Sequence, residues 1–179
     1  MSIEYLRRIP ASVWFNVVAF EIGWLACVAG GNWAALLFAL VYFPWHFSQF
    51  ANAGEWRGWL VVAAAGIGMD QMLALSGVFD FGSTLLPLWL WVLWCLYATT
   101  LFHSLRWLTR RPLVAACVGA VAGPFSYYAG SLLGAARFGY ELSLVMVILA
   151  VLWFVFMYVA SCLVNWVSRD DPELLPVGV

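Results

Sequence analysis

The sequence predicts an all-α, polytopic membrane bundle: one domain over residues 1–179, six transmembrane helices, both termini cytoplasmic. Three observations predict it. Of the 179 residues, 65% are hydrophobic and only 9% charged, whereas a soluble domain is about 45–50% apolar and about 25% charged. The few charges and turn residues cut the apolar sequence into segments of about 20 residues, the length that crosses the hydrocarbon. The arginines, finally, fall mostly on alternate connections. The same arithmetic excludes disorder, a collagen-like repeat, a disulfide scaffold and a nucleic-acid binder, because eight Arg, no Lys and a net charge of −1 create no basic field.

The first helix is expected over about 10–30 and the second over about 33–50, joined by a tight hairpin at Gly31-Asn32. The first reads as an uncleaved span, since its apolar run is too long for a signal h-region and contains Glu21. The third covers about 59–79 and the fourth about 85–105, with Asp80, Gly82 and Ser83 at the turn between them. The fifth and sixth cover about 113–133 and 142–167, before a polar tail at about 170–179. With the N-terminus in the cytoplasm, Arg7, Arg8, Arg57, Arg106, Arg110, Arg111 and Arg169 lie inside and only Arg137 outside. That asymmetry obeys the positive-inside rule and supports an even number of spans.

Ionisable groups at membrane depth are the first candidates for chemistry, since each costs about 2.5–3.5 kcal/mol on insertion scales and needs a partner or a wet cavity. Glu21 and Asp70 lie near the middles of the first and third helices, and Gln71 follows Asp70. They suit a proton or cation relay or an acid/base pair. Equally, each suits a neutral acid that hydrogen-bonds another helix, Asp70 reaching Tyr127 or Ser126. The loop acids Glu55, Asp80 and Glu141 are expected in solvent.

His46 and His103 fall near the cytoplasmic ends of the second and fourth helices, at similar depth. Facing imidazoles would suit a b-type haem with Arg106 or Arg57 at its propionates, while hydrogen bonds to headgroups or backbone are the commoner use of interfacial histidines. No cofactor is predicted. No metal is predicted either: two histidines do not close a zinc site, and H-x-x-x-H and H-E-x-x-H spacings are absent.

Cys27, Cys95, Cys117 and Cys162 stand singly in different helices and read as small apolar residues. In the fifth helix Gly119, Gly123, Gly130 and Gly134 form one stripe against which another helix can pack, with Tyr127 on the same stripe and Pro124 bending the helix. Trp33, Trp56, Trp59, Trp107 and Trp166 mark interfaces, whereas Trp89, Trp91 and Trp94 enter the fourth helix facing several directions. Arg106, Arg110 and Arg111 are placed to meet lipid headgroup phosphates.

Four stretches in order carry a resemblance: Gly23-Trp24-Leu25-Ala26-Cys27-Val28, Asp70 with Gly77-Val78-Phe79, the run from Ala98 to Leu108, and Gly123-Pro124-Phe125-Ser126-Tyr127. Together they resemble a family of bacterial inner-membrane proteins described as domain of unknown function 2878, over most of the first five helices. The resemblance implies a multi-pass protein of the bacterial cytoplasmic membrane and favours lipid handling; it brings no catalytic residues. The leading expectation is a protein that binds or helps to process a lipid-like apolar molecule in a semi-polar pocket between the first, third and fifth helices, oriented by Asp70, Gln71, Ser126 and Tyr127. A proton-coupled carrier using Glu21 and Asp70, and an accessory subunit of a larger membrane complex or homo-oligomer, are the alternatives. Membrane lipids are the expected partners.

Overall fold

Gly31 turns the longest apolar stretch into a hairpin. In the computed structural model, which describes residues 11–49, 51 and 54–170, the backbone is helical on both sides of Gly31, and Gly31 itself adopts φ 65°, ψ −158°. A side chain resists that left-handed φ, and glycine does not. Asn16 Nδ2 donates to the Tyr42 hydroxyl at 3.1 Å although 26 residues separate them, a span of about 39 Å along a straight helix. The chain has therefore folded back into two antiparallel helices, α1 (11–30) and α2 (32–49).

Six further elements follow in order: α3 (Glu55–Leu75), β1 (Phe79–Asp80), α4 (Leu88–Phe102), the short α5 (Arg106–Thr109), α6 (Pro112–Leu132) and β2 (Arg137–Phe138). The chain continues through α7 (Leu142–Val167) into a single 3-10 turn, Ser168–Asp170. Among the described residues, four stretches are long and apolar enough to cross a membrane: Val13–Gln49, which contains the hairpin, then α3, α6 and α7. Arg7, Arg8 and the tail from 171 onward lie outside the described residues.

α4 is shorter than its expected span. Pro87 in an extended conformation fixes its start, and the chain leaves the helix at His103 (φ −118°, ψ −88°), where the Leu105 amide donates back to the Thr100 carbonyl at 2.7 Å. Fifteen residues cover about 22 Å. The helix is nevertheless the axis of the bundle, packed against the hairpin on one side and α3 on another, with every residue from Ala98 to Phe102 buried. α3 is displaced the other way and begins at Glu55, four residues before expectation; an acid is favoured in the first turn, where unpaired amides and the helix dipole attract negative charge.

Small residues set how closely the helices approach. A Cβ on Gly66 of α3 would stand 2.1 Å from the Trp94 ring of α4. Along α6, a Cβ on Gly119 would stand 2.4 Å from Met157, and one on Gly123 2.3 Å from Trp153, so the expected stripe packs against α7 at these two positions. It does not do so at the other two. A Cβ on Gly130 would meet no packing neighbour within 4 Å among the described residues, and Gly134 lies past the helix end at φ 78°, where it serves the turn.

One end of the bundle is tied by backbone. β1 and β2 pair antiparallel, Phe79 opposite Phe138 and Asp80 opposite Arg137, joining the α3–α4 and α6–α7 connections. At the same end the Trp89 amide donates to Asn32 Oδ1 at 3.0 Å, which holds the hairpin turn to the start of α4. The start of α3, the α4–α6 connection and the last turn of α7 gather at the opposite end.

Candidate functional site

Between α1 and α6, over a floor of α4 and α7, the packing leaves a cavity of about 280 Å³. Its walls include Phe20 and Trp24 of α1, Trp89 and Trp94 of α4, and Trp153 of α7; Ser126 and Gly130 of α6 also face it. No charged side chain lines it among the described residues. From Val118 to Gly130 it follows α6 for about 18 Å at 1.5 Å per residue. Gly130 contributes by having no side chain, since it opens space that a larger residue would fill.

Asp70 stands behind this wall. It is 0% exposed and accepts two hydrogen bonds, from Trp94 Nε1 to Oδ2 at 2.7 Å and from the Tyr127 hydroxyl to Oδ1 at 2.6 Å. Both donors are themselves wall residues. Tyr127 in turn stacks on Phe79, with ring centroids 5.0 Å apart and planes at 5°. Of the partners foreseen for Asp70, Tyr127 holds that place and Ser126 lines the cavity; Trp94 was not foreseen, because an indole on an apolar helix gives no sign of which polar group it will meet.

A second polar centre lies at the other end of the bundle. Glu55, expected in solvent, is only 4% exposed. Its Oε1 lies 3.2 Å from His46 Nε2 and 3.0 Å from His103 Nε2, and its Oε2 lies 3.1 Å from the latter. The two imidazoles stand 4.9 Å apart, centroid to centroid, with planes at 89°. Glu55 occupies the position an iron would take between them, so this arrangement does not fit the bis-histidine haem considered from sequence. A chain of buried polar groups supports His46. Its Nδ1 lies 3.3 Å from the Tyr42 hydroxyl, which lies 3.1 Å from Thr99 Oγ1. Asn16 Nδ2 donates to both hydroxyl oxygens at 3.1 Å, and Asn16 Oδ1 accepts from Ser104 Oγ at 2.6 Å.

The remaining sequence candidates are scattered. Glu21 is exposed on the outer surface of α1, and no hydrogen bond joins it to Asp70 among the described residues. Gln71 is absent from the cavity wall: its Nε2 donates to the Thr84 carbonyl at 2.8 Å and its Oε1 accepts from the Leu86 amide at 3.2 Å, so its amide is spent on the α3–α4 connection. Arg106 turns inward, donating to Asn165 Oδ1 at 2.7 Å and Thr109 Oγ1 at 3.2 Å, and so fastens α5 to the end of α7. Arg110 and Arg111 are exposed. The pocket thus lies among α1, α4, α6 and α7, and α3 reaches it only through Asp70.

Fold and site together define an all-helical protein with helices of membrane-spanning length around an uncharged, partly open cavity. The chain belongs to the family described as protein of unknown function (DUF2878), which matches residues 13–159. No curated protein and no solved structure gives a significant match.

Proposed function

We propose that this chain crosses the bacterial cytoplasmic membrane six times, with both termini inside, and holds an apolar, chain-shaped lipid in the cavity between α1 and α6. The hairpin at Gly31 supports six crossings, since it makes two helices of the first apolar stretch. The arginines support the orientation: Arg57, Arg106, Arg110, Arg111 and Arg169 gather at one end and Arg137 at the other. The observation that carries the binding proposal is the cavity itself, about 280 Å³ with an uncharged, aromatic wall. Water gains little against such a wall, while an alkyl chain laid along it gains contacts with the lining side chains. Ser126 supplies the exposed hydroxyl on that wall, and Asp70 fixes the orientation of two wall rings.

The test is lipid mass spectrometry on protein purified in mild detergent. One chain-bearing species should be enriched over the bulk membrane lipids, at about one per protein. Gly130→Leu extends a side chain into the open space and should lower that enrichment by about tenfold, the equivalent of about 1.4 kcal/mol. Extracts that mirror the bulk membrane in both proteins refute the reading.

A further inference from the structure

The centre formed by His46, Glu55 and His103 has the composition and spacing of a metal site. We propose that it binds one divalent transition metal ion of the zinc class, through the Nε2 atoms of the two histidines and the carboxylate of Glu55. The three residues each offer a ligand atom, and these atoms all lie within 4.8 Å of one another. Glu55 Oε1 lies 3.2 Å and 3.0 Å from the nitrogens of His46 and His103, and Oε2 lies 3.1 Å from that of His103. Ligands on a tetrahedral ion with bonds of about 2.0–2.1 Å stand about 3.3 Å apart, so small side-chain shifts suffice. Imidazole planes at 89° let both rings aim at one point without stacking.

The expectation of no metal rested on finding two histidines and no third donor. Glu55 is that donor, carried inward by the early start of α3. The ligands come from α2, α3 and the residue after α4, which explains why no local spacing announced them.

The surroundings fit a ligating histidine. Metal-bound imidazoles use their second nitrogen to hold a polar partner, which fixes ring and tautomer. His46 Nδ1 has the Tyr42 hydroxyl at 3.3 Å. With metal at Nε2, Nδ1–H donates to Tyr42, Tyr42 donates to Thr99, and Thr99 donates to the Leu96 carbonyl at 2.8 Å. Without metal, Nε2–H donates to Glu55 and the Tyr42 hydroxyl turns to Nδ1. Both states satisfy the chain, so loading requires proton shifts and only the small side-chain shifts noted above. Two imidazoles and one carboxylate leave a fourth position for water, the pattern of open zinc sites as opposed to closed structural ones. His103, 12% exposed against 1% for His46, marks the side from which an ion or solvent would approach.

The experiment uses the full chain in detergent, freed of metal by chelation and then titrated with Zn²⁺ and Co²⁺. One ion per chain and the visible d–d bands of low-coordinate cobalt are expected, with zinc displacing cobalt. His46→Gln and His103→Gln should lose the bands and weaken binding by about 100-fold or more, and Tyr42→Phe by about tenfold through its outer position. Ser83→Ala, in the exposed α3–α4 connection at the opposite end of the bundle, should bind as wild type. A folded wild-type chain, monodisperse and helical by circular dichroism, that takes up no stoichiometric cobalt or zinc overturns the proposal; so does uptake that persists in both folded histidine variants. Should those variants not fold, the stoichiometry and cobalt spectrum of the wild-type chain decide it alone.

Discussion

α3 carries two buried carboxylates fifteen residues apart, Asp70 and Glu55, and their surroundings are opposite in kind. Asp70 meets two neutral donors, an indole N–H and a phenol O–H, carried by rings that also line the cavity. Glu55 meets two imidazoles, which can exchange protons or ligate an ion, and a polar chain runs on behind them. Burial of an acid therefore does not by itself indicate chemistry. What matters is the chemistry of its partners: the indole N–H at Asp70 can only donate, whereas the imidazoles at Glu55 can donate, accept or ligate.

The largest effect should come from breaking the sealed centre. Asp70→Ala orphans two buried donors at about 1–3 kcal/mol each, so the unfolding midpoint in detergent should fall sharply, and Asp70→Asn, which keeps one acceptor, should lose about half as much. An unchanged midpoint for Asp70→Ala would erase the contrast. Next comes metal linkage at the other centre. Zn²⁺ at about a hundred times its dissociation constant should stabilise the wild-type chain by about 2.7 kcal/mol; Glu55→Gln should lose that increment and Asp70→Asn should keep it, measured by thermal unfolding with and without the ion. Gly66→Ala should cost about 1–3 kcal/mol by pressing a methyl group into the Trp94 ring, loosening the wall near Asp70 and leaving metal uptake intact. The smallest effect belongs to the exposed arginines: Arg110→Gln and Arg111→Gln should change stability by less than about 0.5 kcal/mol, and a shift beyond that would show that this end of the bundle depends on more than Arg106.

Much of the fold was legible because its signals are local. The break at Gly31, the Asp80 turn, whose carboxylate caps the Gly82 amide at 2.8 Å, and the limits of α6 and α7 follow from glycine, proline and the run length of apolar residues. Asp70 could be singled out because a charge in an apolar run is conspicuous. Glu55 could not: in the sequence it sits beside Trp56 and Arg57 in a connection, where acids usually meet water. The available hint was that two histidines of similar depth at one end would need a shared partner, and Glu55 is an acid in the same connection. Glu21 misled for the reverse reason, since it is equally conspicuous in sequence and is turned outward. Gln71 and Arg106 are polar residues whose hydrogen bonds fasten connections, a use that depends on loop geometry no periodicity encodes.

Composition and apolar run length alone determined that this chain forms apolar helices of spanning length, because the transfer of each segment into hydrocarbon depends on that segment's own residues. Which face of each helix turns inward was decided only by tertiary packing, since nearly every face is apolar and lipid solvates one as well as another. Close approach at Gly66, Gly119 and Gly123 made that choice, and with it brought Trp94 and Tyr127 to Asp70 and His46 and His103 to Glu55.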